Sequence, residues 1–189
     1  LSFDDGDYRE VAMAYKDPTN PFGLESIYKE TPFKTLVLDS LTSWFKLALT
    51  YAIELSRTYG LKEQPTIERP QLVGYGIRST ATKEMAFNLI NWCRKHGVNC
   101  VFIAHKGEMV KDEQTGIMYN SIGLSGDIPN EIARWCDECW MMGVDGTGKR
   151  LLQVQPLSNA RPLKTRMFSS DVSTVDATTL SLSQLIDAW

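Results

Sequence analysis

Three groups of residues have types and spacings suited to chemistry on an anionic ligand. In "GVDGTGKR", residues 143 to 150, the pattern G-x-x-x-x-G-K-[ST] is met at every position but the last. A loop of that pattern curls backbone N–H groups around phosphates, sends its Lys to the terminal ones and holds Mg²⁺ through a Ser or Thr hydroxyl. Arg150 offers no hydroxyl. The second group ends apolar runs: Asp4 and Asp5 after "LSF", Asp39 with Ser40 after "TLVL", and His105 after "VNCVFIA". An acid in such a place is costly unless it is solvated or has a partner. Asp39 therefore has two readings, as the cap of a helix that starts at Leu41 or as the acid of a Mg²⁺ site, bound directly or through water. The third group is Lys164 and Arg166 in "RPLKTRMF". On a strand they share one face, either as a solvated edge that discourages strand pairing or as two cations offered to a neighbouring subunit.

The elements around these groups decide between the readings. A phosphate loop must run directly into a helix, whose N-terminus faces the anion. Here the chain continues "RLLQVQP", which alternates and then meets Pro156. Together with "DECWMMGVD" it predicts a hairpin whose turn is "GTGK". The run "TLVLDS" predicts a central parallel strand covered on both faces. Trp44, Phe45, Ala48, Leu49, Ala52, Ile53 and Leu55 then predict a helix that stops at Gly60.

Residues 61–78, with two prolines and two glycines, read as a long exposed loop. Met85, Ala86, Leu89, Ile90 and Cys93 define one face of a helix over 79–96, ended by Gly97 and favoured at its C-terminus by His96. "VNCVFIAH" predicts a second buried strand, with a polar stretch following from Lys106 to Asp127 and a short helix at "IPNEIARWC". A helical pattern followed by the loop "KDPTNPFG" occupies residues 7–30, and "LSLSQLIDAW" predicts a last short helix. The class is α/β, a mainly parallel sheet flanked by helices with a C-terminal antiparallel hairpin. In such sheets ligands bind beyond the carboxyl ends of the strands.

Composition narrows the function. The 189 residues, 43% hydrophobic and 23% charged, suit one domain with a full core. A net charge of −3 and a pI near 5.5 exclude a generally basic, nucleic-acid-coating surface while leaving room for a local basic loop. No apolar run reaches membrane-spanning length, so no membrane partner is expected. Cys136 and Cys139 form a C-x-x-C pair that could be half of a zinc site, but Cys93 and Cys100 make a poor second half. Reduced thiols are the simpler reading.

On these residues the chain resembles a known family. "TLVLDSLT" resembles the second nucleotide-binding motif of RecA-like ATPases, and "VNCVFIAHKGE" the strand that ends at their γ-phosphate sensor. The hairpin resembles theirs, and "LKTRM" resembles the Lys-x-Arg finger of RecA-like and hexameric-helicase ATPases. The set is most similar to small bacteriophage RecA-like nucleotide-binding proteins of recombination. It covers residues 1–168 as the core, with 169–189 as a tail.

The resemblance implies ATP and Mg²⁺ as ligands, with Asp39 on Mg²⁺ through water, Ser40 in support, and His105 at the γ-phosphate. It further implies Asp4 or Asp5 orienting the attacking water, and Lys164 and Arg166 as fingers reaching the nucleotide of the next subunit. Lys106 and Lys111 would lie in a loop that touches single-stranded DNA. The protein would work as a homo-oligomeric ring or filament in the cytoplasm of a bacterial host. The family's phosphate loop precedes the strand "LSFD"; the opening on Leu1 rather than Met implies that this loop has been left out, the other reading being a degenerate module with a structural or assembly role.

Overall fold

The computed structural model describes residues 8–111, 116, 118–155, 163–181 and 183–184. Asp4 and Asp5, the opening strand and most of the expected last helix lie outside the described residues. The α/β class holds, and the chain divides into two compact units, residues 1–105 with 123–128, and residues 106–122 with 129–189.

In the first unit the two apolar runs form β1, Thr35–Asp39, and β2, Asn99–Ile103. They pair in parallel, Val37 beside Val101 and Asp39 beside Ile103. Cover on both faces was expected, yet Val37 is 44% and Ile103 39% exposed. Within the described residues the helices cover these strands incompletely.

Those helices are α1, Tyr8–Lys16; α2, Leu24–Glu30; α3, Leu41–Ser56; and α4, Gln71–His96. Helices α3 and α4 pack together around Trp44, Ala48, Ala52, Met85, Leu89 and Trp92, all buried. Each large side chain hidden this way contributes about 1.5–3 kcal/mol. Inside that core Asn88 donates its amide to the Ala14 carbonyl at 3.2 Å, which ties α4 to α1.

Helix α4 corrects the expected loop, because it starts at Gln71, directly after Pro70, and not at residue 79. Two glycines in its first turns each cost about 1 kcal/mol of helix propensity. Gly74 offsets this by allowing close approach: it is buried, and a Cβ there would meet Pro70 Cβ at 3.2 Å and Ile53 Cδ1 at 3.4 Å. The helix ends as expected at Gly97, whose left-handed φ of 64° lets the Val98 N–H reach the Cys93 carbonyl at 2.9 Å.

The second unit holds β3, Lys106–Lys111, antiparallel to β4, Met118–Ile122. This corrects the expected polar loop. A two-stranded ribbon buries neither face fully, so its strands need no apolar alternation, and β3 is exposed nearly throughout. Helix α5, Ile128–Trp135, matches the expected short helix. The hairpin of β5, Met141–Val144, and β6, Arg150–Gln153, also forms as expected. Its turn is closed by Asp145, whose carboxylate accepts from the Thr147 hydroxyl at 2.7 Å and N–H at 2.8 Å and from the Lys149 N–H at 3.0 Å. These bonds hold Asp145 below the usual carboxylate range. An unforeseen strand, β7 at Thr174–Asp176, adds to β6. Leu152, Val154 and Ala177 form a small core there with Trp140, Phe168, Val172 and Val175 against it.

Candidate functional site at the end of the parallel strands

The parallel pairing brings the carboxyl ends of β1 and β2 side by side, and with them Asp39 and the segment leading to His105. The Asp39–Ser40 peptide bond is cis. Ser40, and not Asp39, caps α3: its hydroxyl accepts the Ser43 N–H at 3.1 Å and donates to the Ser43 hydroxyl at 3.0 Å. Asp39 is thereby released from capping. Its carboxylate is exposed and has no hydrogen-bond or ion-pair partner among the described residues.

Thr42, in the first turn of α3, ties the two strand ends together. Its hydroxyl accepts the His105 N–H at 2.9 Å, and the His105 carbonyl accepts the Gly123 N–H at 2.8 Å. The fit at Gly123 is close: a Cβ there would lie 3.1 Å from the His105 carbonyl oxygen and 3.4 Å from Thr42 Cγ2, so a larger residue would have to shift one of them by a few tenths of an ångström. The backbone of His105 is thus held on both sides while its imidazole stays exposed.

One turn further along α3, Phe45 carries a second feature. The Arg78 guanidinium lies 3.9 Å from the centre of the Phe45 ring and 5.0 Å from that of Tyr75, and it donates to the Ser125 hydroxyl at 3.2 Å. Burial lowers its pKa from the ordinary value, and no carboxylate lies within ion-pair distance among the described residues. A half-buried cation resting on aromatic faces without an acid partner is suited to a phosphate oxygen.

Lys164 and Arg166 stand in the second unit. Lys164 bridges Cys139 through both backbone groups, and its ammonium donates to the Arg134 carbonyl at 3.3 Å, at the end of α5. Arg166 has a 73% exposed side chain that pairs with Asp137 at 3.0 Å. Lys106 and Lys111 sit at the two ends of β3, both exposed. Cys136 and Cys139 hydrogen-bond each other, which with burial pushes the Cys139 thiol up. At the end of α4, His96 lies 3.0 Å from the Glu25 carboxylate and stacks on Trp92 at 4.4 Å. Burial raises the pKa of Glu25, but His96 and Lys29 outweigh it and hold the group below its ordinary value.

Comparison with known proteins gives the family. A family model described as AAA domain matches residues 10–166. The chain belongs to the AAA domain family. The AAA domain is a nucleotide-binding ATPase type related to the phosphate-loop NTPases, and its members use a nucleotide and usually Mg²⁺. No curated protein and no solved structure matches the chain. Among the described residues no helix of this AAA domain is long and apolar enough to cross a membrane.

Sequence reasoning missed Thr42 and Arg78. A threonine three places after a strand-end acid carries no signal of its own, and Arg78 fell in a segment read as loop.

Proposed function

We propose that the chain is the RecA-like ATPase core of a phage recombination protein, acting on single-stranded DNA as a ring or filament and hydrolysing ATP at subunit interfaces. The observation that carries this is the junction of Asp39, Thr42 and His105 at the carboxyl ends of two adjacent parallel strands. It leaves one carboxylate without a partner among the described residues and one exposed imidazole where α/β sheets place their ligands.

The residues fit a hydrated cation. Asp39 is exposed and unpartnered among the described residues, as a carboxylate holding Mg²⁺ through water must be, while the Ser40 hydroxyl is taken by the cap of α3. Bound there, Mg²⁺ would neutralise phosphate charge. Asp4 or Asp5 would orient the attacking water. His105 would contact the γ-phosphate, held in place by the Thr42 and Gly123 bonds to its backbone. Lys164 and Arg166 would act on the nucleotide of the adjoining subunit. On the DNA side, the exposed Lys106 and Lys111 would offer phosphate contacts. The Gly146–Lys149 turn leads into a strand, so it does not supply the phosphate loop that this reading requires.

The test is Asp39→Asn in the full-length protein. Hydrolysis measured as phosphate release should fall by about 10² or more, with ATP binding and melting temperature retained. Normal hydrolysis with the fold intact would remove Asp39 from the site and with it the reading.

A further inference from the structure

The acidic pair between the two cysteines has no part in the reading so far, yet it is the hub of the loop that carries Arg166. Four donors converge on the Glu138 carboxylate. Oε1 accepts the N–H groups of Arg166 at 2.6 Å and Met167 at 3.1 Å. Oε2 accepts the Thr165 hydroxyl at 2.5 Å and the Trp140 indole N–H at 2.8 Å. The Thr165 hydroxyl in turn accepts the Met167 and Phe168 N–H groups, each at 3.2 Å, which closes a turn around the arginine. The neighbouring Asp137 holds the guanidinium itself.

The elements behind this hub are packed and bridged. Trp140 and Phe168 pack with ring centres 6.1 Å apart against the small core of the β5–β6–β7 sheet. The Cys139–Lys164 bridge fixes the start of the segment. Charge-assisted bonds to one carboxylate are about twice as strong as neutral ones, and here three come from the consecutive residues Thr165, Arg166 and Met167. A carboxylate that accepts so many donors is built to hold a backbone, while the Arg166 side chain projects into solvent from the segment it fixes.

We propose that Glu138 is a positioning residue for Arg166, fixing the backbone from which the guanidinium reaches an anionic phosphoryl group on a neighbouring copy, with Asp137 holding the guanidinium until that group arrives. This rests on the finger reading of Arg166. Glu138 touches no nucleotide; it acts through Arg166. Displacing a catalytic group by about 1 Å can lower a rate by about 10², so the effect should appear in kcat.

The experiment compares the full-length parent with Glu138→Gln, Arg166→Ala and the double variant. Glutamine keeps the size of the side chain but turns an NH₂ toward donors. Glu138→Gln should lower kcat by about 10- to 100-fold with KM for ATP and self-assembly unchanged. Hydrogen exchange at the Arg166 and Met167 amides should speed up, independently of turnover. In the Arg166→Ala background the Glu138 change should cost little more, because both act through one group. Should Glu138→Gln fail to fold, Thr165→Val removes one donor with the carboxylate intact and should give the same pattern, weaker. If Arg166→Ala is defective but Glu138→Gln turns over normally, the positioning role is wrong and the finger reading stands. If Arg166→Ala is itself normal, both fall. A Glu138→Gln loss that is equally large without Arg166 places its effect elsewhere and overturns the proposal.

Discussion

The end of the parallel strands and the loop that carries Arg166 are both held tightly, but by opposite means. At the strand end the backbone is tied down through Thr42 and Gly123, and the side chains of Asp39 and His105 have no bonds of their own among the described residues. At the loop, side chains do the holding: Glu138 gathers three consecutive residues, and even the arginine tip is paired to Asp137. On the proposed reading, this difference separates two kinds of contact. The Asp39 carboxylate and the His105 imidazole, without bonds among the described residues, would meet a ligand bound within the chain. An arginine paired on the surface can exchange a weak partner for a stronger one from outside, since an exposed ion pair contributes only about 0–1 kcal/mol.

The largest expected effect breaks the comparison at its second half. Arg166→Ala should leave ATP binding intact and reduce hydrolysis by about 10³, the scale of an arginine finger. A chain bearing Asp39→Asn retains Arg166, so mixing the two defective proteins should recover part of the phosphate release that neither gives alone. Recovery requires that each site draw one residue from a different copy. Turnover by Arg166→Ala at the parent rate would reduce the loop to a charged edge, and the contrast between the two regions would lose its functional meaning.

A smaller effect sharpens the first half. Thr42→Val keeps the branched shape and removes only the acceptor for the His105 N–H. Loss of that bond should cost about 1 kcal/mol of stability and lower kcat about tenfold, with ATP affinity retained, because His105 is no longer fixed in place. Melting and steady-state kinetics on one preparation separate the two contributions. A lower melting point with unchanged kcat would mean that the tie supports the fold alone.

The parts of the molecule legible in sequence were those where local pattern and tertiary demand agree. "TLVLD" and "NCVFI" alternate with nothing and are bounded by polar ends, so their strands and the groups closing them could be read directly, and the GTGK hairpin was signalled by its turn residues. Helix α4 was obscured by Gly74 and Gly76, because propensity sees a glycine and not the Pro70 and Ile53 atoms that make it useful. The β3–β4 ribbon was obscured because two exposed strands need no apolar face. Thr42 and Glu138 escaped for another reason. Each acts by accepting backbone N–H groups from residues 63 and 28–29 positions away, and such long-range bonds leave no periodicity in a sequence.

The smallest expected effect concerns Lys149, the residue that the phosphate pattern singles out. Its ammonium lies 3.8 Å from the Asp176 carboxylate, and the two side chains are 60% and 53% exposed, so the pair is largely screened and contributes little. The bond that matters to the turn is made by its backbone N–H to Asp145, and it survives removal of the side chain. Beyond Lys149 the chain enters β6, so the turn does not lead into the helix that a phosphate loop requires. Lys149→Ala should therefore leave ATP affinity within a few-fold of the parent and the melting temperature nearly unchanged, whereas loss of a true phosphate-loop lysine would nearly abolish binding. Titration with a fluorescent ATP analogue decides the matter. A collapse of affinity in a folded protein would place the nucleotide at this turn and overturn the role proposed for Asp39.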